Sequence, residues 1–197
     1  GLVGSEMCIR DRIWRDVELT MYEEKYFDYI YECYQEYDSR HLFTNDLTIQ
    51  SKRELWNSFK RKTESVYHET MIAINVTTNI PIGFVYSYDY DMNNGHMCIA
   101  IYIQEKKRNS TTGAEVGAIF LEHLFRCYPI KKVYCTVYDY NKTSIKFLKG
   151  ANFETEGLLK KHRYFNNEYH DMHIMSINRD GVYELLKRLK YKEYGKK

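Results

Sequence analysis

A strand, a short polar loop and a helix follow one another between Ile99 and Glu122. Cys98 to Ile103 is an apolar, partly β-branched run without Gly or Pro, which predicts a strand. Arg108 to Thr112 is entirely polar, and apolar residues recur at helical spacing from Gly113 onward. This order constrains the fold, because it places the N-terminus of a helix directly after a strand, with only a short polar loop between them.

Such a loop is suited to hold an anion. The first backbone N–H groups of a helix have no partner within the helix, and the positive end of the helix dipole lies behind them. A phosphate is the natural ligand, and Arg108 adds a positive charge at the rim. A basic residue, polar residues and a Gly also begin many ordinary helices, so the loop alone fits a plain helix start equally well.

Periodicity and turn residues predict the remaining elements. Ser51 and Glu54 have the spacing of a capping box, and Asn93-Asn94-Gly95 is a hairpin turn signal. The predicted strands cover 13–20, 69–77, 81–90, 97–103, 132–138, 154–164 and 169–177, and the predicted helices cover 25–36, 51–63, 113–127, 143–149 and 182–192. We therefore expect an α+β fold, with a mixed, mostly antiparallel central sheet of about seven strands and helices on both faces.

Length and charge exclude several classes of protein. A chain of 197 residues suits one domain. Its 29 basic and 27 acidic residues nearly balance, which argues against nucleic-acid binding, and the charge runs Lys106 to Arg108 and Lys187 to Lys197 are typical of solvated surfaces. No apolar run approaches the ~20 residues that span a bilayer, and no signal segment is present. We expect a soluble, cytoplasmic protein.

The cysteines and the first residues carry less information. The five cysteines have irregular spacing, with no C-x-x-C and no paired His, which predicts reduced thiols and no metal site: Cys8, Cys33, Cys98, Cys127 and Cys135. Gly1 to Arg12 does not join the periodic pattern and resembles a translated adapter rather than native coding sequence. We expect a single domain over 13–197.

The polar loop resembles the acyl-CoA pyrophosphate motif of the GCN5-related N-acetyltransferase (GNAT) superfamily. That motif reads Q/R-x-x-G-x-G/A, and Arg108 to Gly113 fill its six positions, with Thr111 where the family usually has its first Gly. The strand residues Ile82-Gly83-Phe84 also resemble the third strand of this family. Several spaced motifs in the correct order are more specific than any one of them.

Downstream residues resemble the RimJ/RimL-type branch of the superfamily. Its N-x-x-S-x-x-x-L-x-K-x-G-F-x-x-E-G signature resembles the residues Asn141, Ser144, Leu148, Lys149, Phe153, Glu156 and Gly157, with Lys149 one position before the signature Lys. Asn152 replaces the Gly before Phe153, and after Gly it is the residue that best tolerates a left-handed backbone. The closing hairpin of the branch is matched at Tyr164, Asn166, Tyr169, His170 and Asp171.

This resemblance implies an N-acetyltransferase that moves an acetyl group from acetyl-CoA to a primary amine by direct attack, without a metal. The backbone N–H near Ile103 would polarise the thioester carbonyl. Asn141 would hold the pantetheine amides, although it also suits a cap for the helix that follows. The implied cofactor-binding residues are Ile101, Ile103, Arg108, Asn109, Ser110, Thr111, Thr112, Gly113, Ala114, Asn141, Ser144 and Phe147.

The proton-transfer residues of the family are only partly matched. Many members carry a Tyr seven residues after the Asn as the acid for the leaving thiolate, and here that position is Leu148. The RimJ/RimL-type branch lacks this Tyr too, and we expect the Ser144 hydroxyl to serve the cofactor sulfur instead. The position of the base that some relatives carry is Arg163, which cannot accept a proton.

Four residues remain as candidates for the base: His162, Tyr138, Glu69 and His96. Each also suits an ordinary surface or hairpin position. An α-amine with a pKa near ~8 needs less help than a lysine near ~10.4, because more of it is neutral at cellular pH. We therefore favour an α-amine or a small amine of low pKa as the acceptor.

A second hypothesis is a catalytically weak or silent GNAT-like domain that binds CoA as a sensor or an interaction module. Thr111, Leu148 and Arg163 depart from the family pattern in ways that affect turnover more than folding. The expected partners are a small-molecule amine or a protein N-terminal amine, with neither nucleic acid nor membrane. A homodimer is an open alternative to a monomer.

Overall fold

The computed structural model of the chain describes residues 13–44, 48, 50–63, 68–108 and 111–190. Gly1 to Arg12, with Cys8, and the loop residues Asn109 and Ser110 lie outside these described residues. The strands are β1 (Ile13–Trp14), β2 (Val17–Met21), β3 (Thr70–Asn75), β4 (Ile80–Asp91), β5 (His96–Ile103), β6 (Lys132–Tyr138), β7 (Glu154–Phe165) and β8 (Glu168–Asn178). A short 3-10 helix, Glu24–Tyr26, precedes the helices α1 (Phe27–Gln35), α2 (Tyr37–Arg40), α3 (Lys52–Thr63), α4 (Glu105–Arg108), α5 (Thr112–Cys127), α6 (Lys142–Gly150) and α7 (Arg179–Arg188).

The strands form one sheet in the order β1-β2-β3-β4-β5-β6-β8-β7. β5 and β6 pair in parallel, whereas the ladders β1–β2, β2–β3, β3–β4, β6–β8 and β7–β8 are antiparallel. The expected α+β class and mostly antiparallel sheet are confirmed. The sheet has eight strands, in line with the expected number of about seven. Arg15, with a φ of 53°, starts a tight turn that divides the predicted strand Ile13–Thr20 into β1 and β2.

Two compact units can be distinguished. The first holds the chain up to Tyr90 together with Ala100–Phe120. Its core is an aromatic cluster in which the Phe43 ring lies 4.7 Å from Tyr102 and 5.4 Å from Phe84, centroid to centroid. Tyr102 also donates its hydroxyl to Glu36 Oε2 at 2.6 Å. These contacts fix the C-terminal part of β5 within the first unit.

Gly83 allows β5 to approach β4 closely. A Cβ at this position would collide with the Tyr102 carbonyl oxygen and lie 2.8 Å from Ile103 Cδ1. The β3–β4 ladder also shifts its register here, since Gly83 lies opposite Ala73 while Pro81 lies opposite Ile74. The glycine of the predicted third-strand motif is therefore required by packing.

The second unit holds Asp91–Ile99 and the chain from Leu121 onward. β6 pairs with β8 from Lys132 to Tyr138, and β8 pairs with β7. Asn166 and Asn167 have φ values of 51° and 66°, which is the backbone of a tight two-residue hairpin turn. Asn152 follows α6 with a φ of 66°, as the sequence predicts for the residue in the place of a Gly.

Several element boundaries differ from the sequence prediction. The last helix begins at Arg179 rather than Val182, because Asn178 Oδ1 accepts the Gly181 N–H at 2.8 Å and caps it early. The helix predicted over 25–36 is divided into the 3-10 helix and α1, and the four-residue helix α2 was not predicted. The capping box is confirmed, with Ser51 N–H 2.8 Å from Glu54 Oε2 and Glu54 N–H 3.3 Å from Ser51 Oγ.

The four cysteines in the described part of the chain form no disulfide, in line with the predicted thiols. Helices long and apolar enough to cross a membrane do not occur in the ranges that the structure describes.

Candidate active site

The predicted anion loop ends in the first turn of α5. The Glu115 N–H donates to the Thr111 carbonyl oxygen at 3.0 Å, which is the first hydrogen bond of this helix. The amides of Gly113 and Ala114 precede it and have no acceptor within the helix. The loop is shorter than the predicted Arg108 to Thr112, because Arg108 ends α4 and Thr112 already begins α5.

Arg108 packs back onto the end of β5. Its Nε donates to the Ile103 carbonyl oxygen at 2.7 Å, and its guanidinium carbon lies 5.4 Å from the centroid of the Tyr102 ring. Its Nη2 is buried and has no hydrogen-bond partner among the described residues. A buried unpaired N–H costs ~1–3 kcal/mol, so a ligand oxygen that accepts this hydrogen would be favoured. The loop therefore fits an anion by its orphaned donor as well as by its amides.

Two residues of β5 lie beside this loop. An ideal Cβ on Gly113 would lie 3.9 Å from Ile103 Cγ1, and one on Gly117 would lie 3.2 Å from Ile101 Cδ1, so α5 packs its glycines against β5. The Gln104 N–H donates to the Ile82 carbonyl oxygen of β4 at 3.0 Å. Because successive amides of a strand alternate in direction, the N–H groups of Ile101 and Ile103 point away from β4.

The parallel register of β5 with β6 covers His96 to Cys98. β5 continues to Ile103 beyond the last registered pair. The amides of Ile101 and Ile103 thus point away from β4 and lie beyond the β5–β6 pairs at His96 to Cys98, as an oriented donor for a substrate oxygen requires.

Asn141, Ser144 and Phe147 lie in the second unit, on and before α6. Asn141 is the N-cap of this helix, and its Oδ1 accepts the Ser144 N–H at 3.2 Å. Ser144 is in the first turn, as predicted, and both Ser144 and Phe147 are half-buried. The capping role of Asn141 is therefore present in the structure, while its side-chain amide nitrogen and the Ser144 hydroxyl make no hydrogen bond to another described residue.

Arg163 covers one of the predicted base candidates. It is 8% exposed, and its guanidinium carbon lies 4.7 Å from the Tyr138 ring centroid and 5.8 Å from that of Phe165. Tyr138 stacks in addition on Tyr140, with 5.6 Å between ring centroids. Tyr138 is thus part of a packed aromatic and cationic cluster.

The other base candidates lie in different surroundings. His162 is exposed in the irregular part of β7 between Leu159 and Arg163. His96 Nε2 lies 3.7 Å from Asp91 Oδ2 in the β4–β5 hairpin. In the first unit, the Glu69 N–H donates to Ser87 Oγ at 3.0 Å.

A hydrogen-bonded pair that the sequence did not reveal joins Asp139 and His170. His170 Nδ1 lies 2.8 Å from Asp139 Oδ1, and the Asp171 N–H donates to Asp139 Oδ2 at 3.3 Å. Burial tends to raise the pKa of Asp139, but the hydrogen bonds from the Asp171 amide and the His170 ring outweigh it and hold the pKa below its usual range. The pair fixes the end of β6 two residues before the cap of α6.

A cleft of about 620 Å³, including the space open to solvent, lies in the first unit. Its walls include Phe59, Tyr86 and His68, and the His68 ring stacks on Tyr86 with 5.6 Å between centroids. Burial, assisted by the positive charge of Lys62, lowers the pKa of His68 to about 4. His68 is therefore neutral at pH 7, and among the described residues of the cleft wall Lys62 carries the charge.

A sequence signal existed for Glu115, whose role was not predicted. Thr111 and Glu115 are four positions apart, which is one helical turn, and both side chains meet in the structure. Asp139 and His170 are 31 positions apart, and only the pairing of β6 with β8 brings them together.

Metal-binding groups of three or more His, Cys, Asp or Glu side chains are not found over the described ranges.

Known proteins resemble this chain in sequence. The model of the family described as "Acetyltransferase (GNAT) domain" matches residues 21–174. A curated relative, the SPbeta prophage-derived uncharacterized N-acetyltransferase YokL of Bacillus subtilis (strain 168), is 29% identical over 100 residues. That match covers 51% of this chain and 56% of the relative, so the chain spans only about half the length of the curated protein it matches.

Solved structures share the fold at low identity. Spermidine N-acetyltransferase from Vibrio cholerae, in complex with CoA and spermine, has a TM-score of 0.79 at 15% identity, over 85% of this chain and 98% of that one. RimL, a ribosomal L7/L12 alpha-N-protein acetyltransferase in complex with CoA, has a TM-score of 0.75 at 15% identity, over 86% and 97%. A GNAT-family acetyltransferase from Bacillus anthracis has a TM-score of 0.70 at 16% identity, over 84% and 96%.

Proposed function

The chain belongs to the GNAT acetyltransferase family, and from this premise we propose that it transfers an acetyl group from acetyl-CoA to a primary amine. The observation that carries the proposal is the loop before α5. The buried, unpartnered Arg108 Nη2 and the first-turn amides of Gly113 and Ala114 are donors suited to a pyrophosphate. Acetyl-CoA, when bound, supplies the thioester that the amine attacks.

The end of β5 is suited to the developing negative charge. The amides of Ile101 and Ile103 point away from β4 and lie outside the β5–β6 register. We assign the backbone N–H near Ile103 as the donor to the thioester carbonyl oxygen. An oriented donor of this kind is worth ~2.7–4 kcal/mol in the transition state.

In the second unit, we assign Asn141 to the pantetheine amides and Ser144 to the cofactor sulfur. The Asn141 side-chain amide keeps two donor hydrogens when its Oδ1 caps α6. The Ser144 hydroxyl is half-buried and makes no hydrogen bond to another described side chain, so it can donate to a thiolate. Phe147, half-buried on the same helix, supplies apolar contact.

The acceptor is best described as an α-amine or a small amine of low pKa. Arg163 holds the place of a base and Tyr138 is packed beneath it, so strong base catalysis has little support from either residue. His162 is exposed and remains the candidate that can exchange a proton with solvent. An amine that is already partly neutral fits this weak base set.

We assign the cleft around His68 as the candidate acceptor site, and its wall favours an acceptor with few positive charges. The described part of its wall carries Lys62 and the neutral His68 but no carboxylate, and a polycation such as spermidine would need acidic partners there. A protein N-terminus or a small monoamine meets no such difficulty. The CoA-complexed neighbours acetylate both kinds of substrate, a polyamine in one case and a protein N-terminus in the other.

The alternative is a CoA-binding domain with little or no turnover, used as a sensor or interaction module. The packing of Arg163 over Tyr138 favours it, because a candidate base is covered by a cation. One experiment separates the two functions. Calorimetry with CoA measures binding, and thioester consumption is followed with a panel of N-terminal peptides, monoamines and spermidine.

Binding together with consumption in the presence of an α-amine supports the enzyme. Binding without consumption for any amine supports the alternative. Absence of heat and of a thermal shift at millimolar CoA would refute both.

A further inference from the structure

Glu115 places a buried carboxylate in the first turn of α5, at the loop assigned to the pyrophosphate. The residue is 4% exposed. Its Oε1 accepts a hydrogen bond from Thr111 Oγ1 at 2.8 Å and lies 3.1 Å from Arg15 Nη1. Two donors, one from the loop and one from the β1–β2 turn, therefore converge on a single oxygen.

A negative charge at this place has two opposite effects. It complements the positive end of the helix dipole, which favours acids in a first turn. It also opposes a second anion at the same helix terminus, because the repulsion between like charges is only weakly screened where water is excluded. A buried carboxylate without a counter-charge would therefore weaken a phosphate site.

The structure holds Arg15 in position to supply that counter-charge. Arg15 has a left-handed φ of 53° in the tight turn between β1 and β2. Its guanidinium carbon lies 5.0 Å from the ring of the buried Trp14. The contact with Glu115 is a single hydrogen bond rather than a bidentate pair. Arg15 therefore acts on the carboxylate mainly through its positive charge and not through the two-pronged geometry of the guanidinium group.

We propose that Arg15 is a positioning residue for cofactor binding, which neutralises Glu115 and, through it, orients Thr111 at the end of the pyrophosphate loop. This inference rests on the proposed function. It also explains how Thr111 is tolerated where relatives usually have Gly, because its hydroxyl is turned toward Glu115. Glu115 with Arg15 in place orients the Thr111 hydroxyl, and Glu115 without Arg15 repels the ligand.

The test is a cycle of variants titrated calorimetrically with CoA: wild type, Arg15→Ala, Glu115→Gln, and the double variant. Arg15→Ala should weaken CoA binding about tenfold, because the buried Glu115 carboxylate then loses its partly exposed counter-charge. Glu115→Gln should bind CoA as well as wild type, because its amide oxygen still accepts the Thr111 hydroxyl. The double variant should recover to within about threefold of wild type.

Two further variants separate charge from general stability. Arg15→Lys keeps the charge and should retain most of the affinity, since the contact is a single hydrogen bond. Lys25→Ala is the matched control, because Lys25 pairs with Glu23 at 2.7 Å and lies 4.9 Å from the Tyr26 ring, also in the first unit. It should leave CoA binding unchanged.

Kinetics give an independent readout. Arg15→Ala should raise KM for acetyl-CoA at unchanged kcat, and should leave the rate with S-acetylpantetheine, which has no pyrophosphate, as in wild type. If the wild type binds CoA and the double variant binds it as weakly as Arg15→Ala does, this inference alone is overturned. Failure of the wild type to bind CoA would overturn the proposed function and this inference with it.

Discussion

His170 donates to Asp139 through Nδ1, at 2.8 Å, while its Nε2 lies 3.2 Å from the Phe165 carbonyl oxygen. Both ring nitrogens of His170 therefore lie within hydrogen-bond distance of an oxygen atom, which fixes the orientation of the ring. The Tyr140 ring meets the imidazole edge-on, with 4.8 Å between centroids. The pair links the β7–β8 hairpin to the segment that leads into α6.

Replacing Asp139 by Asn should lower the free energy of unfolding at pH 7 by ~0.5–1.5 kcal/mol, because solvent screens the Asp139 side chain, which is 42% exposed. The folded state lowers the pKa of Asp139, so the contribution is present above the ordinary Asp pKa and is lost as pH falls through the lowered value. Urea denaturation at pH 7 and at successively lower pH measures the difference, which should shrink toward acid. The exposed Asp89→Asn is the control, and an equal loss at every pH would contradict a contribution from ionised Asp139.

His68 should make the protein less stable as pH falls from about 6.5 to about 4. Its pKa in the fold is about 4, because burial and then Lys62 disfavour the charged ring. The unfolded chain therefore binds more protons in this window, and stability falls with decreasing pH by ~1–2 kcal/mol once solvent screening is allowed for. Denaturation midpoints of wild type and His68→Gln over this range test it.

Lys62→Ala tests how much the charge of Lys62 contributes to the pH dependence that His68 causes. Removing its positive charge should move the His68 pKa upward and narrow the window of pH dependence. Identical pH profiles for wild type and His68→Gln would show that His68 is not the group responsible.

Local signals in the sequence predicted most of the fold. The strand Lys132 to Tyr138 was predicted with its observed bounds, because its apolar alternation and flanking residues are local. The tight turn at Arg15 could not be predicted, since a left-handed Arg in a two-residue turn has no strong residue signature. Pairs such as Asp139 with His170 need the β6–β8 register, which only the folded sheet defines. For the site, motif order indicated the loop, and it could not indicate that Arg108 packs back on Tyr102.

Gly83→Ala should destabilise the protein by ~1–3 kcal/mol, the cost of overpacking. The added Cβ would collide with the Tyr102 carbonyl oxygen, which is backbone and cannot turn aside. Gly150→Ala is the matched control, because nothing lies within 4 Å of a Cβ there. Thermal or urea denaturation of both variants tests the difference, and equal stability of the two would contradict the close approach of β5 to β4.

Arg108→Ala should weaken CoA binding by ~1.5–3 kcal/mol, the range for a charge-assisted hydrogen bond. The reason is the orphaned Nη2, which a pyrophosphate oxygen would satisfy. Lys106→Ala removes the same charge from an exposed position in the same short helix and should have little effect. Calorimetric titration compares them. Unchanged CoA affinity with a lower melting temperature would reduce Arg108 to a structural contact with Ile103 and Tyr102.

Ser144→Ala should lower kcat by ~10²-fold or more, the scale of acid catalysis, while CoA affinity changes little. The hydroxyl lies in the first turn of α6, near the positive end of its dipole, and makes no hydrogen bond to another described residue. The backbone N–H of position 144, which Asn141 caps, is kept in the variant, so stability should be unchanged. Thr143→Ala, an exposed hydroxyl in the same turn, is the matched control. Single-turnover rates separate the chemical step from product release. A variant with nearly normal kcat but weaker CoA binding would make Ser144 a cofactor contact and leave thiolate protonation to solvent.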